Sequence, residues 1–212
     1  VKRFIFLSTT KIAGELSPLK GFSENDPARP EDPYGLSKWE AEQALAEISK
    51  TTDMEVVILR PPLVYGPGVK GNFLTLFKAI DKGTLLPLGA IQNQRSLIFV
   101  GNLADAIVAA ATHPSAANQT FLVSDAGTVS TPSLIANIAT SLNKKPRLIN
   151  MPLSLLKLAG TLTGKSGAIQ RLIGSLAVDT SKIRALLNWQ PPHTMAEGLE
   201  ITAEWWHSDG KE

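Results

Sequence analysis

The 212 residues contain no cysteine, which excludes disulfides, thiolate nucleophiles and cysteine metal sites. Histidine is nearly as scarce. His113, His193 and His207 stand far apart with no ligand spacing, so no metal site is expected. A surplus of one charge is also missing: the formal net charge is +2 and no basic run is longer than Lys144-Lys145, which leaves no electrostatic case for nucleic acid. Long hydrophobic runs are absent too. The longest, Met151 to Leu162, is broken by Ser154, Lys157, Gly160 and Thr161 and is too short to span a bilayer, so it reads as a buried or lobe-surface helix and no membrane partner is expected. With no signal-peptide pattern, the chain reads as cytoplasmic. What remains is 43% apolar content, enough for one domain or one domain with a smaller lobe.

The stretch Asp32-Pro33-Tyr34-Gly35-Leu36-Ser37-Lys38 carries the most chemistry. Asp32 as N-cap and Pro33 at the first helical position start a helix that the apolar pattern of Trp39, Ala41, Ala44, Leu45 and Ile48 carries to about Ser49. Tyr34 and Lys38, four residues apart, then share one helix face near its positive end. A free phenol has a pKa of about 10, and a neighbouring cation favours its ionised form. A pair of this kind suits a general acid and base.

Around that helix the pattern is strand, helix, strand. Phe4 to Leu7 reads as a strand buried on both faces and crowned by Ser8-Thr9-Thr10; Met54 to Leu59 reads as a second, stopped by Arg60-Pro61-Pro62. Continuous apolar strands joined by a helix argue for a parallel sheet, whose ligands bind beyond the strands' C-terminal ends. Lys11 to Glu31 between them is a long loop of the kind kept for function. Further on, helices are expected over 72–82, 103–111, 131–142, 152–162, 180–187 and 195–206, an edge strand over 95–100, and strands over 120–123 and 147–150. No repeat is present.

With these pieces in place the chain resembles the extended short-chain dehydrogenase/reductase family of nucleotide-sugar epimerases, dehydratases and ketoreductases. Four segments carry the resemblance in order: Phe6-Leu7-Ser8-Thr9-Thr10-Lys11-Ile12-Ala13-Gly14, Pro33-Tyr34-Gly35-Leu36-Ser37-Lys38, Leu59-Arg60-Pro61-Pro62-Leu63-Val64-Tyr65-Gly66-Pro67-Gly68, and Arg95 to Ala106. The resemblance implies an α/β fold, a partial Rossmann-type doubly wound parallel sheet (1–66 and 95–128) plus a small substrate-binding lobe (67–94 and 129–212). It implies NAD or NADP as cofactor, a UDP-sugar as substrate, and a homodimer for the full-length protein. By the same resemblance Thr9, Tyr34 and Lys38 are catalytic; Tyr34, Lys38, Pro61 and Pro62 meet the nicotinamide end of the cofactor; Asn72, Phe73, Arg95 and Arg171 meet the substrate diphosphate.

Departures narrow the choice within the family. Thr10-Lys11 stand where 4,6-dehydratases carry Asp-Glu, so elimination of water is not expected. Leu63 stands where many 4-epimerases have Asn. Leu86 to Ala90, Asn93 to Leu97 and Asn118 to Asp125 are closer to bacterial surface-polysaccharide members, 4-epimerases and 4-keto-reductases alike. The family's opening G-x-x-G-x-x-G turn, which holds the cofactor pyrophosphate, does not occur in these residues. The chain is therefore expected to be the C-terminal two-thirds of a longer protein and inactive alone. The non-enzymatic reading of the same fold is a dinucleotide-sensing module.

Overall fold

The computed structural model describes residues 1–164, 166–208 and 210. Five strands and eight α-helices follow in the order β1 (Arg3–Leu7), α1 (Pro33–Thr51), β2 (Glu55–Arg60), β3 (Leu63–Tyr65), α2 (Gly71–Asp81), β4 (Leu97–Phe99), α3 (Val100–Thr112), β5 (Thr120–Leu122), α4 (Thr131–Ser141), α5 (Leu153–Leu162), α6 (Ser166–Ile173), α7 (Ser181–Leu187) and α8 (Met195–Ser208). The chain divides into two compact units: Val1–Val64 with Ser96–Gly127 and Leu176–His193, and Tyr65–Arg95 with Thr128–Ser175 and Thr194–Glu212. The return of Leu176–His193 to the first unit departs from the sequence reading, which placed all residues after 128 in the lobe. Its reason is apolar: Ile183, Leu187 and Trp189 of this segment complete the first unit's core.

The first unit is built on a parallel sheet of order β1-β2-β5. Arg3 to Leu7 pair with Glu55 to Leu59, and Ile58 to Arg60 pair with Thr120 to Leu122. Val57, Leu59, Ile98 and Phe121 are fully buried at its centre. β2 is buried along nearly its whole length, as its unbroken apolar run predicts. β1 is not. Phe4 and Leu7 are 40% and 38% exposed, because β1 is the sheet's edge and pairs with β2 alone among the described residues. A second sheet joins β3 and β4, and the chain passes from one unit to the other within β3.

Residues 95–100, read from sequence as an edge strand, shorten to three residues, all buried, and continue straight into α3. The strand expected over 147–150 reduces to a single bridge, Leu86 to Leu148. In the second unit the core is aromatic: Tyr65 stacks on Phe73 at 5.5 Å, Phe73 meets Phe77 at 6.2 Å, and Phe77 meets the edge of Trp206 at 6.1 Å. Trp206 Nε1 donates to Asp81, which satisfies the indole where the ring is buried.

Candidate active site

α1 begins as its sequence demands. Asp32 is extended and caps the helix, its Oδ1 accepting from the Gly35 N–H at 2.6 Å, with Pro33 at the first position. This puts Tyr34 in the first turn, 52% exposed, and Lys38 one turn on. Lys38 Nζ lies 5.9 Å from the centre of the Tyr34 ring and 4.8 Å from that of Phe6. It donates to the Leu7 carbonyl at 2.9 Å. An ammonium has three N–H donors, so this contact leaves capacity for a ligand.

Thr9 sits just past the end of β1 and is 8% exposed. It caps the short 3-10 helix Thr10–Ile12, its Oγ1 accepting from the Lys11 N–H at 3.3 Å. The hydroxyl proton stays available to donate. Neighbouring Ser8 is buried, and its Oγ has no hydrogen-bond partner among the described residues.

One residue ties these two pieces together. Lys11 bonds Thr9 through its main chain, while its ammonium bonds Asp32 Oδ2 and Glu15 Oε1. Partial burial pulls the Lys11 pKa down, but the hydrogen bonds and charges of Asp32 and Glu15 outweigh it and leave the value raised. The fit is close: a Cβ on Gly35 would lie 3.0 Å from the Lys11 carbonyl oxygen and 3.2 Å from Asp32 Oδ1. The same Lys11 stands at the position where a dehydratase of the resembling family carries its carboxylate, and here that side chain is engaged by Asp32 and Glu15.

Pro61 and Pro62 follow β2 and are buried. The Pro61 carbonyl accepts from the Thr10 N–H at 3.1 Å, so this turn lies beside Thr9. Thr9, Tyr34, Lys38, Pro61 and Pro62 are thus gathered at the C-terminal end of β1 and β2.

The substrate residues read from sequence fall in the second unit. Asn72 is exposed in the first turn of α2 and is not its cap, because the cap position is Lys70. Phe73 is 4% exposed with its ring stacked in the aromatic core, and its main-chain N–H lies at the helix start. Arg95 Nη1 donates to the carbonyls of Arg171 at 2.8 Å and Gly174 at 3.4 Å, so the structure brings Arg95 and the Arg171 segment together. The Arg171 side chain is exposed.

Three features escaped the sequence reading. Glu42, one turn beyond Lys38, is 3% exposed and grips Arg60 with two bonds, 3.0 Å and 2.6 Å. A glutamate four residues after Lys38, in helical register with Tyr34 and Lys38, was its only trace in the sequence. Asn93 bonds Thr131 and the carbonyls of Leu172 and Gly174, organising the loop under Arg95. Asn102 bonds Asp125 at 2.7 Å and both main-chain polar groups of His193, stitching α3 to the return segment.

With this geometry in view, similarity to known proteins becomes informative. A model of the NAD dependent epimerase/dehydratase family matches residues 1–124. The chain belongs to that family. It is 49% identical over 207 residues to a UDP-glucose 4-epimerase of Vibrio cholerae, covering 96% of this chain and 63% of the relative. Two solved folds are similar at TM-score 0.74 and 21% identity: a UDP-glucuronic acid 4-epimerase from Bacillus cereus in complex with NAD, and a UDP-glucose 4-epimerase from Thermotoga maritima with UDP-glucose. They cover 97% and 98% of this chain, which spans 61% and 64% of theirs. The α/β architecture is therefore part of an epimerase fold, and the chain spans just under two thirds of these relatives.

Proposed function

We propose that the intact protein carries out NAD(P)-dependent oxidoreduction at C4 of a UDP-sugar, of the UDP-glucose or UDP-N-acetylhexosamine 4-epimerase type. The observation that carries this reading is the junction of β1 and α1. There an exposed phenol, a nearby ammonium with spare donors and a strand-end hydroxyl are gathered by Lys11 and Asp32.

The residues divide the work as follows. Tyr34 exchanges a proton with the C4 hydroxyl of the sugar. Thr9 donates its remaining hydrogen bond to the same oxygen, steadying it as charge develops. Lys38, held by Leu7, turns its other N–H groups to the nicotinamide ribose and places positive charge near the phenol. Pro61 and Pro62 shape the wall of that pocket. The spare donors of Lys38 and the orphaned Ser8 hydroxyl are polar groups of the kind a nicotinamide riboside satisfies. The nicotinamide supplies the hydride acceptor and donor. Arg171, the main-chain N–H groups at the start of α2 and Asn72 take the substrate diphosphate, with Arg95 holding the Arg171 segment in place.

Two findings favour epimerase over reductase and dehydratase: the Vibrio cholerae relative at 49% identity, and the Lys11 ammonium engaged where elimination calls for a carboxylate. A 4-keto-sugar reductase serving cell-surface polysaccharide synthesis is the neighbouring chemistry. A dinucleotide sensor is disfavoured because binding alone needs no exposed proton donor. The test is to give the intact protein UDP-glucose or UDP-N-acetylglucosamine and, separately, the 4-keto-6-deoxy sugar with NADPH. Conversion to the C4 epimer supports the proposal; consumption of NADPH alone moves the protein to the reductases; no turnover in either defeats the enzymatic reading.

A further inference from the structure

We infer that Asn93 is a positioning residue for the substrate: by pinning the end of α6 it fixes where the Arg171 guanidinium meets the diphosphate. The inference rests on the reading of Arg171 given above. Apolar packing does little to place that arginine. No residue of α6 is buried, and its neighbour α5 buries only Leu156 and Gly160. The two helices meet closely where a Cβ on Gly160 would lie 2.8 Å from Ile169 Cγ1. A helix with so little buried surface opens locally at low cost, so its end depends on polar anchors.

Asn93 supplies them. It is 4% exposed, and its Nδ2 donates to the carbonyls of Leu172 at 3.1 Å and Gly174 at 3.0 Å and to Thr131 Oγ1 at 3.0 Å, while its Oδ1 accepts from the Thr131 N–H at 2.8 Å. Thr131 donates its own hydroxyl to the Leu172 carbonyl at 3.3 Å. One amide thus joins the end of α6 to the start of α4, using its donors on the first and its acceptor on the second. The next two residues extend the clamp: the Gln94 N–H donates to Ser175 Oγ at 3.1 Å and Arg95 Nη1 to the Arg171 carbonyl at 2.8 Å. The main chain from Arg171 to Ser175 is therefore held, and with it the point from which the exposed Arg171 side chain reaches out. Its ordering takes place on folding and not on binding, which favours affinity. Of the three clamping residues Asn93 is the buried one, so water does not replace its bonds when they are lost.

The test is calorimetric titration of UDP into the intact protein and its variants, with steady-state kinetics on the UDP-sugar alongside. UDP carries the diphosphate without the reacting sugar. Asn93→Ala should weaken UDP about tenfold and raise KM in proportion, with kcat changed by less than about twofold. Loss of folded protein alone would lower kcat and leave KM in place. Arg171→Ala should weaken UDP about tenfold as well, and the double variant should bind no more weakly than Arg171→Ala, because Asn93 then has no guanidinium to place. The same cycle applies to Ser175→Ala, an exposed bond of the clamp whose loss spares the fold: it should weaken UDP about threefold, and not at all once Arg171 is alanine. UDP affinity unchanged in both Asn93→Ala and Ser175→Ala, or losses that multiply with that of Arg171→Ala, overturns the inference and leaves the UDP-sugar reading standing. Failure of the unaltered protein to bind UDP overturns both.

Discussion

At the scale of single residues, Lys11 makes the most of its position, joining Thr9 by main chain and the cap of α1 by side chain. Its pKa is raised in the folded protein, so its stabilising contribution is complete below its unfolded value of about 10.4 and fades as pH climbs through the higher folded value. Urea melts of the protein and of Lys11→Met should therefore differ by a constant amount from neutral pH to about pH 10 and converge above it; convergence already below about pH 9 would show that the ion pair is not the cause. Tyr34 and Lys38 were legible in the sequence because a four-residue step within one capped helix fixes their side. Lys11 with Asp32 was not: those partners are 21 residues apart, and only the fold of the intervening loop brings them together.

At the scale of elements, α1 is held to its neighbours at its start and at its middle. Its start rests on the loop after β1 through Gly35, and its middle is locked to β2 by Glu42 and Arg60. Glu42→Gln leaves a buried guanidinium without its counter-charge and should cost about 3–5 kcal/mol, read as a fall in the urea midpoint with unchanged slope. Gly35→Ala acts differently. Its methyl group would press on the Lys11 carbonyl and push the helix start off the loop, shifting Tyr34 away from Thr9. The intact enzyme should then lose about tenfold or more in kcat while melting nearly as before; full activity would mean the junction does not set the geometry. Most elements could be read from apolar period and caps. β3 could not, because Pro61-Pro62 read as a stop where the strand-prone Leu63-Val64-Tyr65 resumes. α6 escaped because it is short, carries Gly167 and is exposed or half-buried throughout.

At the scale of the whole molecule, the proposed nicotinamide end of the site lies on the described sheet, while the 212 residues contain no G-x-x-G-x-x-G pyrophosphate turn. This polypeptide by itself should bind NADH weakly, and fluorescence titration showing tight binding would contradict that. The central claim is that Tyr34 moves the proton in C4 chemistry on a UDP-sugar. It is tested most directly by following UDP-glucose by proton NMR with the intact protein and with its Tyr34→Phe variant. The account predicts conversion to the C4 epimer by the first, and a rate lower by at least about a hundredfold with the second. Equal rates for the two proteins would contradict it.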